Sequence, residues 1–92
     1  MAVTVRLPGS LKQWADGQRR IEVESSESVA DAIRSLCTIY PEVGERVLDD
    51  DGQPRRFVNV YVNGDDIRLL QGAATPLKDG DEVILAPAVA GG

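Results

Sequence analysis

The sequence predicts an α+β fold, a mixed four- to five-stranded sheet packed on one main helix, and three observations carry that reading. Several segments alternate apolar and polar residues at the period of a half-buried strand. One segment carries apolar residues at helical spacing, and it stands between the second and third strands, where a crossover helix belongs. The 92 residues are enough for one core and too few for two. With 42% hydrophobic and 27% charged residues, the composition is that of a globular chain rather than a disordered one.

Val3, Val5 and Leu7 alternate with Thr4 and Arg6, giving a first strand that Pro8-Gly9-Ser10 stops. Residues 11–17 are polar apart from two large apolar residues, Leu11 and Trp14, and a core role suits Trp14 better than a ligand platform. Asp16-Gly17 is a turn dipeptide of the kind that joins hairpin strands. Arg20-Ile21-Glu22-Val23-Glu24 alternates again, with Ile21 and Val23 inward, so the first thirty residues read as a β-hairpin. Ser28 with Asp31 three residues on is a capping-box-like start. Val29, Ala32, Ile33, Leu36, Cys37 and Tyr40 then form one apolar stripe, predicting an amphipathic helix at about 28–40 that Pro41 ends.

Glu42 to Leu48 predicts a short turn of helix bringing Val43 and Val47 to the core, followed by the polar loop Asp49-Asp50-Asp51-Gly52-Gln53-Pro54. Phe57-Val58-Asn59-Val60-Tyr61-Val62 is the strongest strand signal, with its valines on one face. Asn63-Gly64 is a type I′ hairpin signal, pairing that strand with a short one around 66–68. Leu77-Lys78-Asp79-Gly80-Asp81 gives another turn, residues 82–86 the last strand, and Pro87 removes a ladder donor and releases the tail. The order β, β, α, β, short β, β is a β-grasp arrangement, with the domain at 1–86 and an extended C-terminal Gly-Gly tail at 87–92.

Composition excludes much chemistry. With no His and one Cys, there is no Ser-His-Asp triad, Cys-His pair, zinc finger, iron–sulfur ligand set or internal disulfide. A net charge of −5 opposes binding to a phosphate backbone, so nucleic acid is not an expected partner. The absence of a long apolar run or a signal-peptide pattern points away from membranes and to a cytoplasmic protein. Cys37 reads as a small core residue, since no His, Lys or Arg shares its stripe to activate it. The three aspartates lack the alternating ligands of a calcium loop, and no metal or bound cofactor is expected. Arg19-Arg20 and Arg55-Arg56 read as solvated charges at strand entries, the alternative being that some of them pair with acidic residues on a partner.

The tail Pro87-Ala88-Val89-Ala90-Gly91-Gly92 carries the functional reading. Six residues reach about 20 Å when extended. With small side chains and none on the last two residues, a terminal carboxylate on Gly92 can be threaded down a narrow channel. If Val58, Val60 and Val62 pack under the helix, then Phe57 and Tyr61, with Ile84 on the last strand, fall on the open sheet face as a candidate partner-binding patch. The competing expectation is that segments 11–17 and 66–76 fold over that face.

A small acidic β-grasp pattern ending in Gly-Gly resembles the ubiquitin-like prokaryotic sulfur carriers, the family of the molybdopterin-synthase small subunit and the thiamine-pathway carrier. Residues 57–63, 77–83 and 87–92 resemble the actinobacterial cysteine-pathway branch in particular. The resemblance implies a carrier rather than an enzyme. An E1-like enzyme adenylates the Gly92 carboxylate with ATP, a sulfur donor displaces AMP, and the resulting thiocarboxylate delivers sulfur to a substrate bound in a sulfur-accepting synthase. Pro87, Ala88, Val89, Ala90 and Gly91 would be threaded into the partner active sites. The product could belong to cysteine, thiosugar or other natural-product, molybdopterin or thiamine biosynthesis. Two alternatives stand beside it: a ubiquitin-like modifier forming isopeptide bonds through Gly92, and a non-covalent β-grasp interaction module.

Overall fold

The structure is a computed structural model, and its described residues are 2–24, 27–51, 54–55 and 58–87. The chain runs β1 (Ala2–Arg6), β2 (Arg20–Glu24), α1 (Val29–Ile39), α2 (Pro41–Val47), β3 (Val58–Val62), β4 (Asp65–Asp66) and β5 (Glu82–Pro87). The five strands make one sheet in the order β2-β1-β5-β3-β4. β1 and β5 run parallel in its middle, and the other pairings are antiparallel. The mixed sheet on one main helix is as the sequence predicts.

Alternation puts Val3, Val5, Ile21, Val23, Val60, Val62, Val83 and Leu85 on one face, where they bury against Val29, Ala32, Ile33 and Leu36 of α1 and Val43 and Val47 of α2. Each such side chain contributes about 1.5–3 kcal/mol by leaving water. Ser28 caps α1: its Oγ accepts the Asp31 backbone N–H at 3.3 Å. The Asp31 carboxylate turns outward to Arg34 at 3.0 Å. Tyr40 closes α1, and Pro41 opens α2 at a position where its missing N–H has no intrahelical partner to lose.

β1 and β2 pair antiparallel as the expected hairpin. The segment joining them contains a 3₁₀ helix (Gly9–Trp14), on one side of which Leu11 and Trp14, three residues apart, pack on the core. Asp16 and Gly17 then turn the chain back with φ of 54° and 79°. Asn63 and Gly64 form the expected type I′ turn with φ of 51° and 95°. The strand after it, however, covers only Asp65–Asp66, since the Asp66 carboxylate accepts the Arg68 backbone N–H at 2.8 Å and winds Ile67–Leu69 into a 3₁₀ turn. Finally, Pro87 is the last residue of β5, in register with Val58, so the ladder ends at the proline rather than before it.

Candidate functional site

β5 is the central strand of the sheet and carries the chain to Pro87, the first residue of the expected tail and the last described one. Ala88, Val89, Ala90, Gly91 and Gly92, and also Phe57, lie outside the described residues. What the structure gives is the root of the tail and the surfaces around it.

The register places Tyr61 of β3 directly across from Ile84 of β5, with Arg6 of β1 on the other side of Ile84. Their neighbours Val60, Val62, Val83 and Leu85 are buried under the helices. Tyr61 and Ile84 therefore meet on the opposite face, half-buried by one another and by the charges around them. Of segments 11–17 and 66–76, the expected alternative cover of this face, Leu11, Trp14 and Ile67 pack on the core. The patch is framed by two ion-pair groups. Glu82 receives Arg20 at 3.0 Å and Arg6 at 3.6 Å, bridging the three strands β2, β1 and β5. On the other side Arg68 forks onto Asp66 at 2.7 Å, and its hydrogen bonds hold the Asp66 carboxyl below the usual carboxylate range. Such exposed pairs add little stability and serve to fix side-chain positions.

Two clefts flank the root of the tail. On the open side, Arg6, Leu7, Arg19, Ile84 and Pro87 line a cleft of about 320 Å³. On the helix side, Leu11, Arg46, Arg55, Val58, Leu85 and Pro87 line one of about 390 Å³. Arg46 lies flat over the Trp14 ring, 3.7 Å from its centroid, and donates to the Glu42 carbonyl at 2.8 Å. Trp14 is accordingly a half-buried margin of the core capped by a guanidinium. Arg55 is half-buried rather than solvated as expected, with Nε donating to the Glu45 carbonyl at 3.2 Å. Sequence reasoning did not bring Arg46 and Arg55 together over one cleft, since its lining comes from four separated segments that no spacing links.

The remaining reactive groups are structural. Cys37 is half-buried on the expected apolar stripe, and burial pushes its thiol above the ordinary cysteine value, which leaves less nucleophilic thiolate. Asp49 accepts the Asp51 backbone N–H at 2.9 Å in a side-chain-closed turn. Among the described residues no cluster of three potential metal-ligating side chains forms, and no helix is long and apolar enough to cross a membrane.

Comparison with known proteins bears on the whole chain. The chain is 40% identical over 94 residues to "Sulfur carrier protein CysO" of Mycobacterium tuberculosis, covering 100% of both chains. It is 41% identical over 78 residues to "Small archaeal modifier protein 3" of Haloferax volcanii, covering 83% of this chain and 84% of that one. A chain of the crystal structure of the Amycolatopsis orientalis BexX/CysO complex superposes with a TM-score of 0.87 at 33% identity, covering 98% of this chain and 99% of that one. These relatives bear the names of carriers and modifiers, not of catalysts. The ThiS family profile matches residues 5–92, so it takes in the core strands, the open-face pair and the diglycine tail alike, and the chain belongs to the ThiS family.

Proposed function

We propose that the chain is a sulfur carrier whose working group is the Gly92 carboxylate. A carboxylate at pH 7 is an anion that resists nucleophilic attack. Transfer of AMP from ATP to one of its oxygens, in an E1-like partner, releases pyrophosphate and turns that oxygen into part of a leaving group. A sulfide equivalent attacks the acyl carbon and AMP departs, leaving a thiocarboxylate. Its sulfur, nucleophilic at neutral pH, then displaces a leaving group from an electrophilic substrate held in a second enzyme, and attack of water on the resulting thioester frees the sulfur-bearing substrate and restores the Gly92 carboxylate. The chain itself holds, presents and positions the sulfur, and tethering replaces free sulfide by a high local concentration.

The observation that supports this reading is the 40% identity to a named sulfur carrier across the full length of both chains, diglycine tail included. The geometry is compatible with it: β5, fixed between two strands, ends at Pro87, and five small residues beyond it reach about 17 Å into a channel. Tyr61 and Ile84 form the apolar centre of the face a partner would rest on. The resemblance of residues 57–63, 77–83 and 87–92 favours the cysteine branch, and the structural likeness to a chain from the BexX/CysO complex supports docking on a partner protein.

The test is the intact mass of the Cys37→Ser protein after incubation with ATP, a sulfur source and lysate of its host. Exchange of one oxygen for sulfur, mapped to the C-terminal peptide and absent when Gly91-Gly92 is deleted, is the expected result. An unchanged mass in a lysate that loads a known carrier overturns the reading. The likeness to a small archaeal modifier supports a second one, isopeptide conjugation through the same activated Gly92. Covalent adducts of higher mass, linked from Gly92 to lysines and formed with ATP, would establish it.

A further inference from the structure

The helix-side cleft at the root of the tail has a composition that core packing does not explain. Its floor is apolar, made by Leu11, Val58 and Leu85. Over that floor stand two partly buried arginines, Arg46 and Arg55, neither of which has a carboxylate partner among the described residues. Each is instead held in place by a backbone carbonyl, Arg46 by Glu42 and Arg55 by Glu45, and Arg46 also by the Trp14 ring. In a chain of net charge −5, two immobilised cations left without a counter-charge beside an open apolar groove are an unusual arrangement. Among the described residues lining the cleft, Glu45 is the only carboxylate against two guanidinium groups, an excess of positive charge. Across β5 the second cleft adds Arg19, whose Nε also faces a carbonyl, that of Leu7 at 3.5 Å.

We infer that this groove docks a protein segment presenting an aliphatic side chain flanked by carboxylates, supplied by the enzyme that receives the tail. The aliphatic group would cover Leu11, Val58 and Leu85. The carboxylates would complete the two guanidinium forks, which need no reordering to accept them. Placement argues for the tail-accepting enzyme: Pro87 lines both clefts, so whatever encloses the tail also stands over the groove. That last step rests on the carrier reading; the groove's chemistry does not.

The experiment titrates the full ¹⁵N-labelled chain with a capped pentapeptide alternating glutamate and leucine, and with its glutamine counterpart. The expected result is movement of the Leu11, Val58 and Leu85 amides and of the Arg46 and Arg55 Nε–H signals, at lower concentration for the glutamate peptide. Arg46→Gln with Arg55→Gln should weaken binding about tenfold or more. Arg46→Lys with Arg55→Lys, which keeps charge but loses the fork, should fall between. Equal binding of the two peptides, shifts away from the groove, or unchanged binding by a Gln variant that melts like the wild type would overturn the proposal. Should the Gln variant melt early, the comparison of the two peptides on the wild type decides. Loading of thiocarboxylate in host lysate separates the two readings. Normal loading without peptide binding removes the groove and spares the carrier; peptide binding without loading removes the carrier and leaves the groove a docking site.

Discussion

Gly44 is where α2 comes closest to α1: a Cβ built there would stand 2.7 Å from Cys37 Sγ and 2.8 Å from Cys37 Cβ. Gly44→Ala should therefore lower stability by about 1–3 kcal/mol, read as a drop in thermal midpoint. Adding Cys37→Ala should recover only part of the loss, because the Cβ contact persists. Burial that raises the Cys37 pKa also has a sign in pH. The folded state prefers the neutral thiol, so this contribution is intact below the unfolded value and is lost as pH rises through the higher folded one. Relative to Cys37→Ala, the wild type should lose thermal stability as pH rises above the ordinary cysteine value of about 8.5. Cys37's place on the apolar stripe was legible in the sequence. Its contact with Gly44 was not, for it depends on how the two helices cross after Tyr40.

At the scale of elements, two turns are stitched together. The Asn63 amide donates to Asp81 at 3.0 Å and its oxygen accepts the Glu82 N–H at 3.0 Å, while Asp81 also accepts the Lys78 N–H at 2.8 Å. This fastens the β3–β4 turn to the entry of β5 and so sets which residues of β3 and β5 face each other. The Asn63 hydrogen bond, then that of Lys78, lowers the Asp81 pKa. Its contribution is present above the unfolded carboxylate value and is lost as pH falls through the lower folded one. Asp81→Ala should thus melt earlier than the wild type at neutral pH, and the gap should close below about pH 4. The face this register builds can be probed with Tyr61→Ala and Ile84→Arg: weaker binding to the activating enzyme at an unchanged melting temperature is expected. Alternation alone placed Tyr61 and Ile84 on the open face and Asn63-Gly64 at a turn. It could not place the two residues opposite each other, since register is fixed by side-chain bonds between distant turns. Nor could it find the 3₁₀ helix at Gly9–Trp14, where only two apolar residues act.

At the scale of the whole molecule, the buried cluster among the described residues ends at Leu85. On the carrier reading, removing Gly91-Gly92, or adding one residue after Gly92, should leave the thermal midpoint unchanged while abolishing thiocarboxylate formation by mass. The architecture was legible because strand and helix periods differ and each element here keeps to one of them. The tail, read from its contiguous small residues, lies beyond Pro87 and outside the described residues. The arginine groove was not legible, because only the folded chain brings Leu11, Arg46, Arg55 and Leu85 together. The position of β5 has a mechanical consequence. It lies between β1 and β3 and is hydrogen-bonded on both sides, parallel to one neighbour and antiparallel to the other. A pull on Gly92 along the strand therefore loads both ladders in shear, and their bonds must yield together rather than one by one as at a peeled edge. A partner can draw hard on the tail, and let it go, without unravelling the domain that holds it.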